Sequence, residues 1–416
     1  MRKIAFYLIA AFAAAAALYG CECLDDRPGE HHETEAPYVA LGDVARLLSE
    51  ISIGTEQLRE VSDAVSSSSE NGYDEEYTMR DLFRTPGAGV GEDMLPAGSK
   101  SSVRKYERPL RDIIREHLMA AGKSSGQLTG NPGTGADEFL SVLESSDIQI
   151  YWPFSDRWDG KTLPVITFDP ADGSDVNVGY AVREDSLGNR TVEEVIVDEE
   201  MASVRPVWVV NRNDDAAYTS LEILRRLDPE WGNGGGSIVV RPTEGPVRQN
   251  VSGKGKEGRL RTLVLKDFTM LRNYDPWFAG ASEFFVKMGS VEDFTASTEA
   301  ELKLYSPSIT DFMITVKRKH VGEPRPFNAV LVSDWTDQLD QCALMITEDD
   351  GGTRTSWKCT AVVKIASKSY GVEINLPFNT RDDIVWRGQL SRRYIEENND
   401  VTGHFGDVDL TFQVLE

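Results

Sequence analysis

Residues 342–359 read CALMITEDDGGTRTSWKC, two β-rich runs on either side of an Asp-Gly pair. Asp350 and Gly351 both tolerate the positive φ angles of a two-residue type I′ turn, so the pair predicts a tight β-hairpin. If Asp350 and Gly351 form the turn, the strand register places Leu344 opposite Trp357, on one face of the hairpin. We therefore expect antiparallel β-structure in this part of the chain.

The same register places Cys342 opposite Cys359. The two residues form a non-hydrogen-bonded pair, in which the Cα atoms are about 4.5 Å apart. This separation lies at the short end of disulfide geometry, and we expect a disulfide between the two cysteines. Two buried free thiols that meet in a core are the alternative. A one-residue bulge in either strand would turn the two side chains to opposite faces and prevent the bond.

Acidic residues recur where predicted strands begin or end. Asp275 lies in the loop after the β-rich run at 263–265, Glu283 heads the next run, and Glu348 and Asp350 follow a later one. Calcium prefers several carboxylate oxygens. These four acids are therefore the candidate calcium ligands, and solvated loop acids are the alternative.

This order of strand, acidic loop, acid-headed strand and later acid-ended strand resembles a C2-type calcium-binding β-sandwich. The resemblance covers roughly residues 258–416. It implies an antiparallel sandwich in which the acids of two loops at one end share calcium. Glu283 and Glu348 stand where that family usually has Asp.

The chain before this block has a different pattern. Apolar residues recur at intervals of three and four from Leu41 to Ile51 and from Leu110 to Leu118, which is typical of amphipathic helices. After Ile148 the period changes to two, which indicates strands. The fold class expected for the whole chain is α+β: a helical N-terminal segment, a mixed, strand-rich middle and a C-terminal antiparallel β-sandwich. An N-terminal lobe over 38–244, a Gly-rich linker over 245–258 and the C2-like domain over 259–416 follow from these patterns.

The first residues form the three parts of a secretory signal. Arg2 and Lys3 precede an apolar run of fifteen residues at 4–18, and Leu-Tyr-Gly-Cys closes it at Cys21. This junction resembles a lipobox, which implies that residues 1–20 are a signal peptide and that Cys21 carries the lipid. A transmembrane anchor is the weaker alternative, because a bilayer span needs about 20 apolar residues. Residues 21–37 then read as a polar tether.

Acidic residues follow Cys21 directly, in Glu22-Cys-Leu-Asp-Asp26. This flank resembles the surface-export signal of Bacteroides-type lipoproteins, and a solvated acidic tether is the alternative. The whole chain resembles the large Bacteroides-type surface lipoproteins of unknown function. That resemblance implies a lipid-anchored protein of the outer membrane, at the cell surface, and supplies no catalytic residues.

The charge balance limits the partners. Removing residues 1–20 takes Arg2 and Lys3 from the 44 Lys+Arg, and leaves 42 against 68 Asp+Glu, a net charge of −26. Such a chain repels nucleic acid, which we exclude as a partner. The membrane is expected as a partner only through the lipid.

Catalytic motifs are weak. Gly130–Gly135 looks like the front of a phosphate-binding loop, but Ala136 and Asp137 replace the Lys and Ser/Thr that hold phosphate and magnesium. The chain has no nucleophile-elbow or metalloprotease helix motif, and 68 acids leave a catalytic pair undetermined. Four tryptophans lie beside acids and would stack on sugars if exposed, whereas a core position is the alternative: Trp152, Trp158, Trp277 and Trp335.

Three functional hypotheses remain. The preferred one is a surface binding or structural module with a glycan or protein ligand. The second is a surface hydrolase of glycans or peptides, with its carboxylates in the N-terminal lobe. The third is a scaffold partner in a lipoprotein complex. A deep pocket with converging acids would favour the hydrolase, and a shallow aromatic patch would favour the binding module.

Overall fold

The structure is a computed structural model that describes residues 39–86, 95, 98–120, 136–184, 190–213, 219–227 and 261–416. The predicted signal peptide, Cys21, the tether, the glycine-rich pattern at 130–135 and the linker at 245–258 lie outside these residues. Within the described ranges, no helix combines the length and the apolar character needed to cross a bilayer.

Five helices open the described chain. They are α1 (Leu41–Glu50), α2 (Thr55–Glu70), α3 (Met79–Phe83), α4 (Leu110–Ala120) and α5 (Ala136–Ser145). The apolar faces predicted from the spacing are the buried ones, with Leu48 and Ile114 fully enclosed. They pack against Ile166 and Trp208 of a sheet. The hydrophobic periodicity thus identified α1 and α4 correctly, whereas it did not predict α3.

That sheet has six strands in the order β1-β2-β6-β3-β4-β5. The strands are β1 (Glu76–Thr78), β2 (Ile148–Tyr151), β3 (Val165–Phe168), β4 (Asn177–Glu184), β5 (Arg190–Val197) and β6 (Val207–Arg212). The neighbours β3 and β6 run parallel, and the other pairs are antiparallel. Helix α6 (Glu199–Val204) connects β5 to β6 and is capped by Asp198, whose Oδ1 accepts a hydrogen bond from Met201 N. We call the described residues 39–213 the N-terminal lobe.

Residues 261–416, the C-terminal lobe, form two antiparallel sheets. One has the order β10-β7-β16-β15, and the other β13-β12-β11-β8-β9, with β14 also paired to β11. The strands are β7 (Arg261–Met270), β8 (Ser282–Ser290), β9 (Ser308–Val316), β10 (Arg325–Trp335), β11 (Leu339–Glu348), β12 (Arg354–Ile365), β13 (Lys368–Asn379), β14 (Asp383–Ser391), β15 (Thr402–Phe405) and β16 (Val408–Leu415), with α7 (Leu221–Leu227) before them and α8 (Arg392–Glu397) after β14. Phe268 and Leu410 from one sheet and Phe284 and Leu344 from the other share one core. The arrangement is sandwich-like, and the antiparallel strands expected here are present.

The predicted hairpin register is wrong. Leu344 lies between Gly388 of β14 and Met288 of β8, and not opposite Trp357. The connection is a five-residue loop, 349–353, in which Gly351 and Gly352 both have positive φ, so a two-residue turn does not set the register. Strand β12 pairs with β11 only near Leu339 and then forms a long hairpin with β13.

The predicted disulfide is wrong for the same reason. Cys342 lies opposite Leu390 of β14, whereas Cys359 lies opposite Ile374 of β13. Both are buried free thiols. Strand β14 occupies the position beside Cys342 that the hairpin would have given to Cys359.

The two lobes are in direct contact through the loop between β7 and β8. Trp277 and Phe278 of this loop are buried in a cluster with Val165 and Val209 of the N-terminal sheet. Trp277 Nε1 donates a hydrogen bond to the carbonyl of Asp175, at 2.9 Å. Val39–Glu416 is thus one compact unit, in which the loop between β7 and β8 belongs structurally to both lobes.

Candidate functional site

Three acids predicted from the sequence meet at one end of the C-terminal lobe. Asp275 comes from the β7–β8 loop, Glu283 from the start of β8 and Glu348 from the end of β11. Because β8 and β11 are neighbours, the Asp349 N–H donates to the Glu283 carbonyl at 2.9 Å. This pairing aligns the ends of the two strands, and the loop brings Asp275 over them.

The three carboxylates are within reach of a single ion. One oxygen from each of Asp275, Glu283 and Glu348 lies within 4.8 Å of the others. Glu348 is 1% exposed and Glu283 is 7% exposed. Asp275 Oδ2 is buried and accepts no hydrogen bond from the described residues. A buried anionic oxygen without a donor is costly, and a bound cation would remove that cost.

The protonation of Asp275 reflects this environment. Burial raises its pKa from 3.8 to about 6. A hydrogen bond with Glu348 acts in the opposite direction, the charge of Asp350 raises the pKa further, and Arg318 lowers it. In the absence of a cation, a proton therefore competes for this site.

The fourth predicted ligand, Asp350, lies outside the triad and contributes its charge. Two neighbouring acids were missed by the sequence analysis: Asp349, 4% exposed, and Asp382, 7% exposed. Burial raises the pKa of Asp349, and a hydrogen bond with Asp382 raises it further. Consecutive acids at 349–350 and 382–383 were the available signal, but their proximity depends on β14 lying beside β11.

A second feature lies between the lobes. A cavity of about 480 Å³, which we call the interlobe cleft, has walls from the end of α2, the segment 72–75, the start of α7 and the segments 313–320 and 325–326. Its side chains include the hydroxyls of Ser66 and Ser69 and the charged groups of Glu75, Lys317 and Lys319. Polar and charged groups form most of its lining, and Leu221 and Met313 add a smaller apolar part.

Ion pairs hold the lysines of this cleft. Lys319 Nζ lies 3.1 Å from Glu75 Oε1 and 2.8 Å from Asp156 Oδ1. Lys317 Nζ donates to Ser69 Oγ at 2.6 Å. Burial disfavours the Lys319 ammonium, but its hydrogen bonds to Asp156 and Glu75 outweigh this and raise its pKa. Four successive basic or imidazole side chains at 317–320, in an acidic chain, were a signal that the sequence analysis overlooked.

Burial raises the pKa of several carboxyls in the N-terminal lobe, among them Glu60, Asp74 and Asp169. Burial raises the pKa of Glu60 from 4.5 to about 7. Its oxygens accept hydrogen bonds from Tyr77 Oη at 3.0 Å and from Leu110 N at 2.6 Å. Glu60 also borders a cavity of about 290 Å³, which Glu107 and Asp112 line as well.

Aromatic stacking on sugars does not suit the tryptophans proposed for it. Trp152, Trp277 and Trp335 are 1%, 2% and 4% exposed. Of the four tryptophans that lie beside acids, Trp158 alone is partly exposed, and its ring packs against Trp152 at a centroid distance of 5.3 Å. The three buried tryptophans are therefore core residues and not exposed platforms for sugar rings.

The acid-rich loop at 169–175 forms a turn. The Gly173 N–H donates to the Pro170 carbonyl at 3.1 Å, and Gly173 has a φ of +69°. The Asp-Gly sequence at 172–173 is typical of such a polar turn. The chain was also compared with models of protein families, with curated proteins and with solved structures, and none of them matched it.

Proposed function

We propose that this protein is a lipid-anchored binding module of the bacterial outer membrane, displayed at the cell surface, whose C2-like C-terminal lobe holds a calcium ion. The observation that carries the proposal is the triad of Asp275, Glu283 and Glu348, whose carboxylate oxygens lie within 4.8 Å of one another. Glu283 and Glu348 are buried, and Asp275 is partly buried. Three clustered carboxylates repel one another in a poorly hydrated site, so a divalent cation would stabilise them.

Calcium suits this donor set better than zinc. All three donors are hard carboxylate oxygens, and neither His nor Cys belongs to the group. Asp275, Glu283 and Glu348 would hold the ion. The bound ion would join the β7–β8 loop to the ends of β8 and β11.

Thermal unfolding tests the calcium site. A ligand that binds only the folded state adds about 2.7 kcal/mol at a concentration 100 times its Kd, so millimolar calcium should raise the Tm of the full chain. Glu283→Gln and Glu348→Gln should remove this increase. Glu373→Gln is the matched control, because Glu373 is an exposed acid of the same lobe, paired with Lys358. Equal Tm values in calcium and in chelator would refute the site.

The calcium effect should depend on pH. Asp275 has a folded-state pKa of about 6, so it binds a proton as the pH falls below that value. Protonation removes the charge that attracts the cation. The increase in Tm caused by calcium should therefore be larger at pH 7.5 than at pH 5, and an increase that is independent of pH would exclude Asp275 as a ligand.

The lipid anchor is tested at Cys21. The supporting observation is the basic start, the apolar run at 4–18 and the Leu-Tyr-Gly-Cys junction. Cys21→Ser should leave the precursor uncleaved or release the protein from the membrane fraction. Cys23→Ser is the matched control and should leave processing unchanged. Normal processing and retention of the Cys21→Ser protein would contradict the proposal.

A hydrolase of glycans or peptides is the second candidate, and Glu60 supports it. A carboxyl with a pKa of about 7 beside a cavity is suited to act as a general acid near neutral pH. Asp112 borders the same cavity and would supply the second carboxylate. If this candidate is right, turnover measured on a panel of polysaccharides and peptides should be lost in both Glu60→Gln and Asp112→Asn.

A further inference from the structure

Strand β9 has one unpaired edge. It is the last strand of its sheet, and among the described residues it pairs only with β8. In an antiparallel pair, every second residue of an outer strand directs its N–H and C=O groups away from the sheet. Such an edge accepts a further strand.

The register shows which residues of β9 direct their main-chain N–H and C=O groups away from β8. The hydrogen bond from Asp349 N to the Glu283 carbonyl directs the main chain of Glu283 toward β11. The main chain of the next residue, Phe284, therefore points toward β9, where its partner is Ile314. Because these directions alternate along a strand, the flanking Met313 and Thr315 direct their main-chain groups away from β8.

This outward edge borders the interlobe cleft. Met313, Ile314 and Thr315 all line it, so the strand runs along the cleft wall. Met313 is only 4% exposed. No turn or loop hydrogen bond between main-chain groups of the described residues involves Met313 or Thr315. The Thr315 hydroxyl is also buried and has no hydrogen-bond partner there.

The opposite walls provide groups for side-chain recognition. Ser66 and Ser69 present hydroxyls, and the Lys319 ammonium is held between Glu75 and Asp156. Tyr73, which lines the cleft, is only 6% exposed, so its ring offers no open face on which a sugar ring could stack. Donors and acceptors repeated along a strand match a peptide backbone better than a sugar.

We propose that the interlobe cleft binds an extended peptide, which adds as a strand to the outer edge of β9. This inference rests on the proposed binding function and names its ligand class. At about 3.3 Å per residue, the wall formed by Met313–Thr315 spans about 10 Å and accommodates three or four peptide residues. Main-chain hydrogen bonds would supply affinity, and the hydroxyl and charged groups of the facing wall would select side chains.

The test uses the full chain, purified in detergent with millimolar calcium, and a phage-displayed library of random heptapeptides. An enriched peptide is synthesised, and its affinity is measured for the wild type, Thr315→Pro and Ile309→Pro. Proline at Thr315 removes an outward N–H, and an edge strand tolerates this change. The main-chain groups of Ile309 also point away from β8, but Ile309 does not line the cleft. Ile309→Pro is therefore the matched control.

We expect Thr315→Pro to weaken binding at least tenfold and Ile309→Pro to leave it within twofold. N-methylation of alternate amides of the peptide should abolish binding to the wild type, which tests the mechanism even if Thr315→Pro does not fold. The bound peptide should also slow hydrogen exchange at Met313 and Thr315. Equal binding to both proline variants, or full binding of the N-methylated peptide, would overturn the inference.

A glycan array on the same preparation separates the two proposals. Binding of glycans without enrichment of any peptide would overturn the peptide inference and leave the binding function standing. Failure to bind either class would count against both. Loss of the calcium effect alone would refute the cation site and leave the peptide inference intact.

Discussion

At the residue scale, burial of carboxyl groups is the dominant electrostatic feature of this chain. Glu60, Asp275 and Asp349 all have pKa values raised chiefly by burial. The three sites differ in what surrounds the carboxyl. Asp275 and Asp349 each lie beside other acids, whereas Glu60 is held by Tyr77 and Leu110. Burial is the largest cause of the raised pKa of Glu60, and the charge of Asp112 adds less, so Glu60 reports mainly the cost of burying one carboxylate.

Glu60→Gln should stabilise the protein at high pH. Glu60 has a pKa of 4.5 in the unfolded chain and about 7 in the folded one. Between these values the unfolded chain loses the proton while the folded chain keeps it, so the free energy of unfolding falls as pH rises through this window. Gln stays neutral and can satisfy both partners. It should add up to about 3 kcal/mol above pH 7 and little below pH 4.5.

The measurement is urea unfolding across pH. Glu116→Gln on α4 is the control, since the Glu116 side chain is 61% exposed and is paired with Arg108. It should change stability little and equally at each pH. Equal destabilisation by Glu60→Gln at every pH would mean that hydrogen-bond geometry, and not charge burial, determines the stability at Glu60.

At the element scale, the loop between β11 and β12 determines how the acidic end is assembled. Gly352 has a φ of +102°, and a Cβ atom on it would lie 2.8 Å from Thr380 Oγ1 and 3.1 Å from Arg381 N. The loop thus packs closely on the turn before β14. This close contact holds Asp349 and Asp382 together near the triad.

Gly352→Ala should destabilise the protein by about 2–3 kcal/mol, because it combines an unfavourable φ with a steric clash. Gly173→Ala is the matched control: its φ is +69°, and no atom lies within 4 Å of the added Cβ. The control should cost only about 1 kcal/mol, from its φ alone. Denaturant midpoints compare the two variants. Equal costs would show that the contact with the turn before β14 contributes nothing.

At the scale of the whole molecule, the β7–β8 loop joins the lobes. Trp277 is 2% exposed and packs on Phe278 at a ring distance of 3.8 Å, within a cluster that includes Val165 and Val207. Asn211 Nδ2 adds a hydrogen bond to the Ala279 carbonyl at 2.6 Å. A contact this apolar should make the lobes unfold together.

Trp277→Ala should cost about 3–5 kcal/mol and split the single calorimetric transition expected for the wild type into two. Trp357→Ala is the matched control, because Trp357 is a partly buried tryptophan of β12 that packs within the C-terminal lobe. It should lower the Tm without splitting the transition. A single transition in the Trp277→Ala protein would mean that the lobes are coupled by contacts other than this loop.

Local patterns predicted much of the fold. The helices around Leu48 and Ile114, and the change to a period of two at Ile148, depend on which side chains face the core within one element, and this is encoded in neighbouring residues. The acids were identified because Glu283 and Glu348 stand at strand ends and Asp275 stands in the loop between two strands, positions that are visible in the sequence.

Pairing between distant segments could not be predicted in this way. The partner of Cys342 is Leu390, because β14 takes the edge of β11 that the hairpin would have used. The interlobe cleft joins Ser66 and Tyr73 to Met313 and Lys317, residues separated by more than two hundred positions. Which strand occupies an edge depends on packing across the whole core, and that information is not contained in the residues flanking a turn.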